Sequence, residues 1–354
     1  MKINISEINT EFFYINEKVI GDIPVLSIHQ RPNCVWDKDN LILRASVWSK
    51  DGELISASYK KFFNWEEQPD LSSKPLSLSG CKLIEKIDGS AFIVSNFKGN
   101  LITRTRETVN IDNLPTKGEV DEFKIRYPKA FIVDECRSYI YEWVTPANRI
   151  VLDYKEPDIY LTGVIEHSDY SMWEQDKLDE FALEIGVKRP RTFEFSTIDD
   201  MIIAVKEFKG IEGVCVYFNH GQTIKKLKAI QYLTFHSFKY GMSLDNTLEL
   251  FFKFGKPNYN EFMNKIAQEF DWECAEFIRG FVSRICDASV EVNKIITAMK
   301  SFADSVKHLN RKEAAEKIIS AYGKTSRSGF VFNLLDNKDI NEDGLKKLYF
   351  QCLK

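Results

Sequence analysis

A lysine that could act as a covalent nucleophile stands in the segment Lys86-Ile87-Asp88-Gly89-Ser90. An apolar run, residues 81–85, precedes this segment and a second one, residues 91–94, follows it. The pattern predicts a tight turn between two strands. A free lysine has a pKa of about 10.4, and burial together with neighbouring cations lowers that pKa. The sequence therefore predicts that Lys86 is a nucleophilic amine if other cations lie close to it.

Two pairs of basic residues could supply those cations. Lys226 and Lys228 alternate on a predicted strand, so both ammonium groups point to one face. Like charges on one face repel unless an anion neutralises them. Arg104 and Arg106 alternate in the same way. They form either a solvated face or, if they lie next to Lys86, a phosphate clamp.

Two carboxylates accompany the cations. Glu142 lies inside the apolar strand 141–144, and Glu212 precedes Gly213 at the start of another strand. Each could be an ordinary edge or turn glutamate, because a buried carboxylate is costly unless it is paired or binds a metal. Carboxylates also hold Mg²⁺, which masks a triphosphate and helps pyrophosphate to leave. Nucleophile, cations and carboxylates together fit the attack of an amine on a nucleotide α-phosphorus.

A basic and aromatic segment precedes the lysine turn. Arg44 is predicted to lie in the middle of a strand, and Lys61 and Phe63 belong to the segment 59–64. These side chains could hold a polyphosphate and a stacked base. The alternative is a solvated basic edge over an aromatic core, since exposed lysines and arginines are common.

The chain changes character near residue 241. Before that point it reads as strands and turns, with helical patterns at 119–126, 174–185 and 198–206. The predicted strands are 41–48, 53–57, 92–97, 101–106, 139–144, 149–154, 159–165, 214–218 and 231–236. Beyond it, the apolar residues are spaced three and four apart, as in helices. We predict an α+β fold in which antiparallel sheets with flanking helices fill residues 1–240 and an all-helical domain fills 241–354.

Composition excludes several classes of protein. The 354 residues carry a net charge of -4, so any nucleic-acid contact must come from a local basic patch. Seven cysteines without a Cys-x-x-Cys pair argue against a disulfide framework or a zinc ribbon. The N-terminal residues lack a signal-peptide pattern, and no window of 18 residues is apolar. We expect a cytoplasmic protein that does not associate with membranes.

The order of these segments resembles that of the RNA ligase 1 family, typified by the tRNA-repair ligase of T-even phages. The Pro-x-Asn-Arg-Ile-Val core within residues 141–154 is the most specific match. The other matching segments are 58–64, 86–90, 158–164, 211–213 and 226–228, with Tyr232 and His236 after them. The resemblance covers the region from about Arg44 to His236.

The resemblance implies a nucleotidyl transferase domain and an ATP-dependent RNA ligase. Such an enzyme joins an RNA 5′-phosphate to a 3′-hydroxyl through lysyl-AMP and RNA-adenylate intermediates. ATP and Mg²⁺ are the implied cofactors, with Mn²⁺ as a substitute, and nicked tRNA is one candidate substrate. No obligate protein partner is implied.

The resemblance also implies residue roles. Lys86 would carry the AMP, and Glu212 and Glu142 would hold the metal. The implied ATP contacts are Arg44, Lys61, Phe63, Lys86, Asp88, Gly89, Arg106, Glu142, Lys226 and Lys228. Three positions depart from the family pattern: Ile87 stands where an acidic residue is frequent, Arg106 stands where lysine is frequent, and Glu107 stands where glycine is common. Arginine still binds phosphate, but it cannot transfer a proton. The RNA-binding residues stay unassigned, and the basic residues of the helical domain are either an RNA patch or ordinary solvated faces.

Two alternatives remain open. An mRNA guanylyltransferase or a DNA ligase shares the lysine motif, but both usually continue into an OB-fold barrel, whereas this chain becomes helical. A catalytically silent RNA-end-binding protein is the other alternative. It would leave the joint presence of Lys86, Glu142 and Glu212 unexplained. Covalent labelling by ATP, by GTP or by neither separates the three.

Overall fold

The computed structural model describes residues 1–67, 71, 73–239, 241–270 and 272–353. The strands in these residues are β1 (Phe13–Ile20), β2 (Ile23–Gln30), β3 (Ser46–Ser49), β4 (Leu54–Ser56), β5 (Phe63–Asn64), β6 (Lys82–Lys86), β7 (Ser90–Phe97), β8 (Asn100–Thr105), β9 (Arg137–Val144), β10 (Asp158–Glu166), β11 (Thr192–Phe193), β12 (Gly213–Phe218) and β13 (Thr223–Lys228). They form sheets in the orders β1-β2-β3-β4, β10-β9-β7-β8 and β11-β6-β12-β13-β5. The pairing is antiparallel except between β13 and β5. The predicted α+β fold with antiparallel sheets is confirmed.

Helices flank the sheets and then fill the rest of the chain. The α-helices are α1 (Lys117–Arg126), α2 (Gln175–Ile185), α3 (Ile198–Glu207), α4 (Ile230–Lys239), α5 (Leu244–Lys253), α6 (Tyr259–Glu269), α7 (Trp272–Phe277), α8 (Arg279–Val306), α9 (Arg311–Tyr322), α10 (Ser326–Leu335) and α11 (Glu342–Leu353). Short 3-10 helices lie at Ile5–Glu7, Leu41–Leu43, Pro128–Phe131 and Pro146–Asn148. None of the helices among the described residues combines the length and apolar character that crossing a bilayer requires.

The chain divides into two compact units, Met1–His236 and Ser237–Lys354. The first unit contains the sheets. The second contains α5 to α11, whose apolar faces meet in one core around Leu248, Phe262 and Ile285. The predicted helical character beyond residue 241 is therefore confirmed. Its origin is the spacing of three and four between apolar residues, which places them on one side of each helix.

The first unit is layered. Consecutive residues of β7 illustrate this: Phe92 packs into a core with α1 and α2, whereas Ile93 packs into a core shared by the sheets. In the same way Leu83 of β6 packs towards α3, and Ile84 packs into the shared core. This alternation follows from the two-residue period of a strand. Burial of apolar area on both sheet faces stabilises this arrangement by about 25 cal/mol per Å².

The lysine turn lies where two sheets diverge. Lys86 ends β6 in one sheet, and Ser90 begins β7 in another. Gly89 lies so close to β9 that an added Cβ would meet the Trp143 carbonyl oxygen at 2.5 Å. A side chain there would force β7 and β9 apart. The turn is thus placed between two strands as predicted, and it connects different sheets rather than forming a hairpin.

Two predicted strands are wrong. Residues 149–154 form a loop, because the buried Asp88 carboxylate accepts hydrogen bonds from the Val151 amide at 2.8 Å and the Leu152 amide at 2.6 Å. Residues 231–236 belong to α4. Tyr232 and His236 are four residues apart, and their rings stack with centroids 5.9 Å apart on one face of that helix.

The predicted strand around Arg44 is also displaced. A 3-10 helix, Leu41–Leu43, ends at Arg44, and β3 begins only at Ser46. Ala45, between them, has a positive φ of 58° that breaks the extended backbone. Arg44 therefore lies in a bend, and its position differs from the middle of a strand that the sequence predicted.

Candidate active site

A cavity of about 790 Å³ opens in the first unit, and its lining comes from several sheets and loops. Many of the predicted site residues line it. They are Arg44, Lys86, Gly89, Arg106, Glu142, Lys226 and Lys228. Cavities of this volume suit ligands the size of a nucleotide. Cationic and hydroxyl-bearing side chains dominate the polar part of the lining, so the cavity fits an anionic ligand.

An ion-pair cluster lies at the lysine turn. The Lys86 ammonium is 2.9 Å from Glu212 Oε2, and the Lys228 ammonium is 3.0 Å from Glu212 Oε1. Glu212 is only 3% exposed, compared with 20% for Lys86 and 10% for Lys228. One buried carboxylate thus holds two ammonium groups. It can do so because Gly213, the next residue, is paired with both Lys86 and Lys228 across neighbouring strands.

The cluster changes the expected ionisation of Lys86. Burial lowers the pKa of the amine and Lys228 lowers it further, but the Glu212 and Glu142 carboxylates outweigh both. The pKa of Lys86 is therefore raised, where the sequence predicted that it would be lowered. In this state Lys86 is a protonated ammonium at neutral pH. The reason is the proximity of Glu212, which pairing across β6 and β12 fixes.

The pKa of Glu142 is raised as well, but in a carboxyl group this favours the neutral form. Burial raises its pKa to about 7, a nearby Glu212 adds to the effect, and Lys86 opposes it. Its place on β9, next to Ala91 of β7, puts the carboxyl group in the cavity wall. A carboxyl group with this pKa is part protonated at neutral pH, so it can accept or donate a proton there.

We expect Glu142→Gln to stabilise the protein at alkaline pH. The folded-state pKa lies above the unfolded value, so the protonated form contributes stability at low pH that is lost as the pH rises through about 7. Between pH 4.5 and pH 8.5 the wild type should lose about 3 kcal/mol relative to the variant. Urea unfolding at both pH values measures this. Substitution of the exposed Glu180 is the control and should show no such difference.

Lys226 and Lys228 lie on one face of β13, as predicted. Lys226 is paired with Cys215, and both line the cavity. Lys225, between the two, points the other way and is fully buried, where its ammonium donates to the carbonyl oxygens of Asn64 and Glu67. Alternation along β13 thus places Lys226 and Lys228 at the cavity, whereas Lys225 bonds to the backbone of residues 64–67.

Asp88 does not line the cavity, although the family resemblance implied an ATP contact. The side chain is buried, and it accepts hydrogen bonds from Val151, Leu152 and the Tyr232 hydroxyl. Its own amide donates to the Tyr154 hydroxyl at 3.2 Å. Asp88 therefore fixes the lysine turn to the 149–154 loop and to α4. Its role in the site is to position other groups.

Phe63 and Lys61 are also outside the cavity lining. Phe63 is 1% exposed in β5, and the Lys61 ammonium lies 3.4 Å from Glu67. Phe62 takes the position in the lining that was predicted for Phe63. The Arg44 guanidinium lies 5.5 Å from the centre of the Phe62 ring, within reach of a cation–π contact. An aromatic side chain thus lines the cavity, but it is Phe62 and not the predicted Phe63.

Arg104 lies neither on a solvated face nor in a phosphate clamp, the two alternatives that the sequence left open. That side chain is fully buried, and its guanidinium donates to Ser56 Oγ at 2.8 Å and to the Ser56 carbonyl oxygen at 3.1 Å. Strand β8 ends at Thr105, so the alternation does not reach Arg106. Arg106 lines the cavity and pairs with Glu107 at 3.3 Å. Arg104 therefore lies in the core, and Arg106 lines the cavity.

Several lining residues were not predicted as site residues. Cys215 and Tyr217 lie on the cavity face of β12, and Tyr59 and Thr162 lie beside them. Alternation from Gly213 would have placed Cys215 and Tyr217 on the face of Lys226. No sequence signal distinguishes Thr162, which lies where the pairing of β10 with β9 shifts register.

Comparison with known proteins identifies the family. Residues 42–259, more than half of the chain, match the family model for RNA ligases. The chain belongs to this RNA ligase family. It is 25% identical over 182 residues to an RNA ligase of Rhodothermus phage RM378, an alignment that covers 41% of each chain. It is 23% identical over 167 residues to a putative RNA ligase of Thermovibrio ammonificans, which covers 47% of this chain and 43% of that protein. The chain spans less than half the length of these relatives.

Solved RNA ligase structures are also similar. An archaeal ATP-dependent RNA ligase is 14% identical, with a TM-score of 0.47, and the match covers 92% of this chain and 93% of that one. A Naegleria gruberi RNA ligase with pyrophosphate is 14% identical, with a TM-score of 0.34, over 44% of this chain and 51% of that one.

The donor set for a divalent cation in this RNA ligase family member is small. The described residues contain no group of three or more histidine, cysteine, aspartate or glutamate side chains that could hold a metal. Glu142 and Glu212 remain, and both contribute to one cluster with Lys86. One or two carboxylates with water and substrate phosphates are what Mg²⁺ commonly takes. Glu142 lines the cavity, but both oxygens of Glu212 pair with Lys86 and Lys228, so the two glutamates would hold a hydrated Mg²⁺ only after Glu212 exchanges an ammonium group for the metal.

Proposed function

We propose that this protein is an ATP-dependent RNA ligase that joins an RNA 5′-phosphate to a 3′-hydroxyl. The observation that carries the proposal is the Lys86 amine, held 2.9 Å from the buried Glu212 in a cavity with Arg44, Lys226 and Lys228. Membership of the RNA ligase family supports the choice of RNA as the substrate. A structural lysine would not need three further cations around one cavity.

The first step uses Lys86 as the nucleophile. After it loses a proton, its nitrogen attacks the α-phosphorus of ATP, the nitrogen–phosphorus bond forms, and the bond to pyrophosphate breaks. Lys226 and Lys228 are placed to stabilise charge on the α-phosphate, and Arg44 is placed for the outer phosphates. Oriented cations of this kind supply most of the rate in phosphoryl transfer.

Two further steps return the enzyme to its starting state. An oxygen of the RNA 5′-phosphate attacks the same phosphorus, which breaks its bond to Lys86 and forms RNA-adenylate. The RNA 3′-hydroxyl then attacks the 5′-phosphate, the new phosphodiester forms, and AMP leaves. The hydroxyl loses its proton in this step, and Glu142, with its pKa near 7, would accept that proton only when it does not hold the metal.

A divalent cation completes the proposed site. Glu212 and Glu142 would hold Mg²⁺, or Mn²⁺ in its place, and the ion would neutralise charge on the triphosphate. Glu212 engaged in this way binds Lys86 less strongly. Burial and Lys228 would then dominate, and the pKa of Lys86 would fall towards the range where the amine is reactive.

We also propose that the protein contacts RNA ends and repairs broken RNA such as nicked tRNA. The helical unit carries basic residues, but Arg311 pairs with Asp336, and Lys307 lies 3.5 Å from Asp304. These two cations are partly neutralised within the unit. Binding of RNA hairpins with nicked and intact loops to the full chain measures the preference.

Retention of a covalent nucleotide tests the central step. The protein is incubated with Mg²⁺ and ATP labelled at the α-phosphorus, then denatured, and the labelled peptide is identified. We expect one AMP on the peptide that contains Lys86, bound through an acid-labile nitrogen–phosphorus bond. Labelling by GTP instead of ATP would indicate a guanylyltransferase. An unlabelled protein that still binds RNA ends would indicate a silent binding module.

A further inference from the structure

A buried guanidinium lies beside the cavity lining without a counter-ion. Arg104 is fully buried, and among the described residues no carboxylate forms an ion pair with it. Burial lowers the pKa of Arg104 to about 10, so the side chain is still a cation at neutral pH. A buried charge is costly unless other groups compensate it. Neutral hydrogen-bond acceptors must therefore stabilise this guanidinium.

Three serine hydroxyls, the serine relay, join the guanidinium to a histidine. Arg104 Nε donates to Ser56 Oγ at 2.8 Å. Ser56 Oγ lies 2.8 Å from Ser95 Oγ, which lies 2.9 Å from Ser138 Oγ. Ser138 Oγ in turn lies 2.8 Å from His167 Nε2. All of these side chains are buried, and the three serines belong to β4, β7 and β9. The relay thus crosses from one sheet into another.

The number of protons determines the direction of the relay. Burial lowers the pKa of His167 to about 4, so the ring is neutral at neutral pH and carries one proton. Three hydroxyl protons share the three links between Ser56 and His167. A proton on Nε2 would occupy the last link and leave one hydroxyl without an acceptor, which is unfavourable in a buried site. His167 therefore carries its proton on Nδ1, and each serine donates towards Nε2.

This direction stabilises the Arg104 cation. Each hydroxyl turns its oxygen towards the guanidinium and its proton towards His167, so the three dipoles point their negative ends at the cation. Hydrogen bonds that are aligned in this way strengthen one another. The Glu135 backbone forms a hydrogen bond that raises the pKa of the ring, as a carbonyl oxygen that accepts from Nδ1 would.

The relay also holds the backbone of two segments that lead into the cavity. Arg104 donates to the carbonyl oxygens of Ser56 and Thr105, each at 3.1 Å. The Ala57 amide donates to Ser138 Oγ at 2.8 Å. The cavity-lining residues that directly follow these anchored positions are Ser58, Tyr59 and Arg106. One hydrogen-bonded system thus fixes part of the lining from β4 and part of it from β8.

We propose that His167 is a positioning residue of the ligase. As a neutral imidazole protonated on Nδ1, it accepts from the last serine, orients the relay that holds Arg104, and so fixes Arg106 in the cavity wall. Lys86 and Lys228 belong to a different sheet, so the relay acts on nucleotide binding more than on the reacting amine. The inference rests on the proposed function, because it concerns the same nucleotide site.

The tautomer of His167 is the first test. The full chain is labelled with nitrogen-15 in its histidines, and the ring nitrogens are observed by NMR at neutral pH. The spectrum of His167→Gln assigns the signals of His167. We expect a protonated Nδ1 and an unprotonated Nε2. An Nε2–H tautomer, or an imidazolium, would overturn the proposed direction of the relay.

Interruption of the relay is the second test. Ser95 does not line the cavity, and Ser95→Ala removes the middle hydroxyl. We expect the KM for ATP in the labelling of Lys86 to rise about tenfold, while the rate at saturating ATP changes by less than about twofold. His167→Leu should act in the same way. His167→Gln offers an amide oxygen in place of Nε2 and should restore the KM of the wild type.

Ser27→Ala is the matched control. Ser27 is also a buried serine bonded to a histidine, since its Oγ lies 2.7 Å from His29 Nε2, and neither residue lines the cavity. We expect this variant to change neither the KM nor the rate. The control therefore separates loss of the relay from loss of any buried hydroxyl.

The kinetic outcomes decide between positioning and general stability. An unchanged KM in both Ser95→Ala and His167→Leu would overturn the inference. A lower rate at saturating ATP with an unchanged KM would also overturn it, because a smaller fraction of folded protein has that effect. If the wild type is not labelled by ATP, the ligase chemistry fails. The affinities of the same variants for α,β-methylene ATP would then test the positioning by themselves.

Discussion

Lys86→Ala should lose covalent labelling by ATP by a factor on the order of 10⁴ or more, as expected when a catalytic nucleophile is removed. The variant should still seal RNA that already carries a 5′-adenylate. That sealing step forms a bond between two RNA ends and uses no amine, and Arg44, Lys226 and Lys228 remain to hold the phosphates. Gel assays of labelling and of sealing, on the same preparation, measure both.

Lys82→Ala is the matched control for this variant. Lys82 lies on the same strand, but its ammonium is exposed and lies 2.6 Å from Asp176, outside the cavity. We expect its labelling and sealing to equal those of the wild type, because exposed ion pairs contribute little. Equal labelling of Lys86→Ala and wild type would remove Lys86 from its proposed role. Loss of sealing by a folded Lys86→Ala would show that the lysine also serves the last step.

The members of the central cluster, but not their contacts, could be predicted from the sequence because local rules determine where each one lies. Alternation along a strand puts Lys226 and Lys228 on one face, and a lysine before Asp-Gly marks a turn. Glu212 precedes the glycine that starts β12. The sequence did not contain the register of β6 against β12, which brings Glu212 to Lys86 and raises the pKa of the amine instead of lowering it.

Errors of one residue arise where a strand begins or ends at an unexpected place. Phe62 rather than Phe63 lines the cavity, and β8 ends at Thr105, so the alternation predicted to join Arg104 and Arg106 on one face stops before Arg106. A shift of one residue exchanges the two faces of a strand. The positive φ of Ala45 displaces Arg44 in a comparable way. These features depend on tertiary packing, so periodicity alone does not determine them.

The largest error, the loop at 149–154, has a single cause. Apolar and β-branched residues there favour a strand. The Asp88 carboxylate nevertheless accepts hydrogen bonds from the Val151 and Leu152 amides, and it accepts a third from the Tyr232 hydroxyl. A buried carboxylate with three donors outweighs a weak local preference. Asp88 and its partners are more than 60 residues apart in sequence, so local reasoning could not find them.

Glu212→Gln should have a large effect on stability as well as on activity. The substitution removes the carboxylate that holds Lys86 and Lys228, and it leaves two ammonium groups in a buried site without their anion. Breaking one partner of a buried ion pair costs about 3 kcal/mol or more. Asp176→Asn, which breaks the exposed pair with Lys82, is the control and should change stability little.

The pH dependence identifies the cause of that loss. In the wild type the raised pKa of Lys86 contributes stability that is complete below about pH 10 and is lost as the pH rises through the folded-state value. In Glu212→Gln, burial and Lys228 lower that pKa, so the unfolded state binds more protons and stability rises with pH. The difference between the two proteins should therefore shrink from pH 7 to pH 10 in urea unfolding. A difference that stays constant would mean that lost packing, and not the two ammonium groups, destabilises the variant.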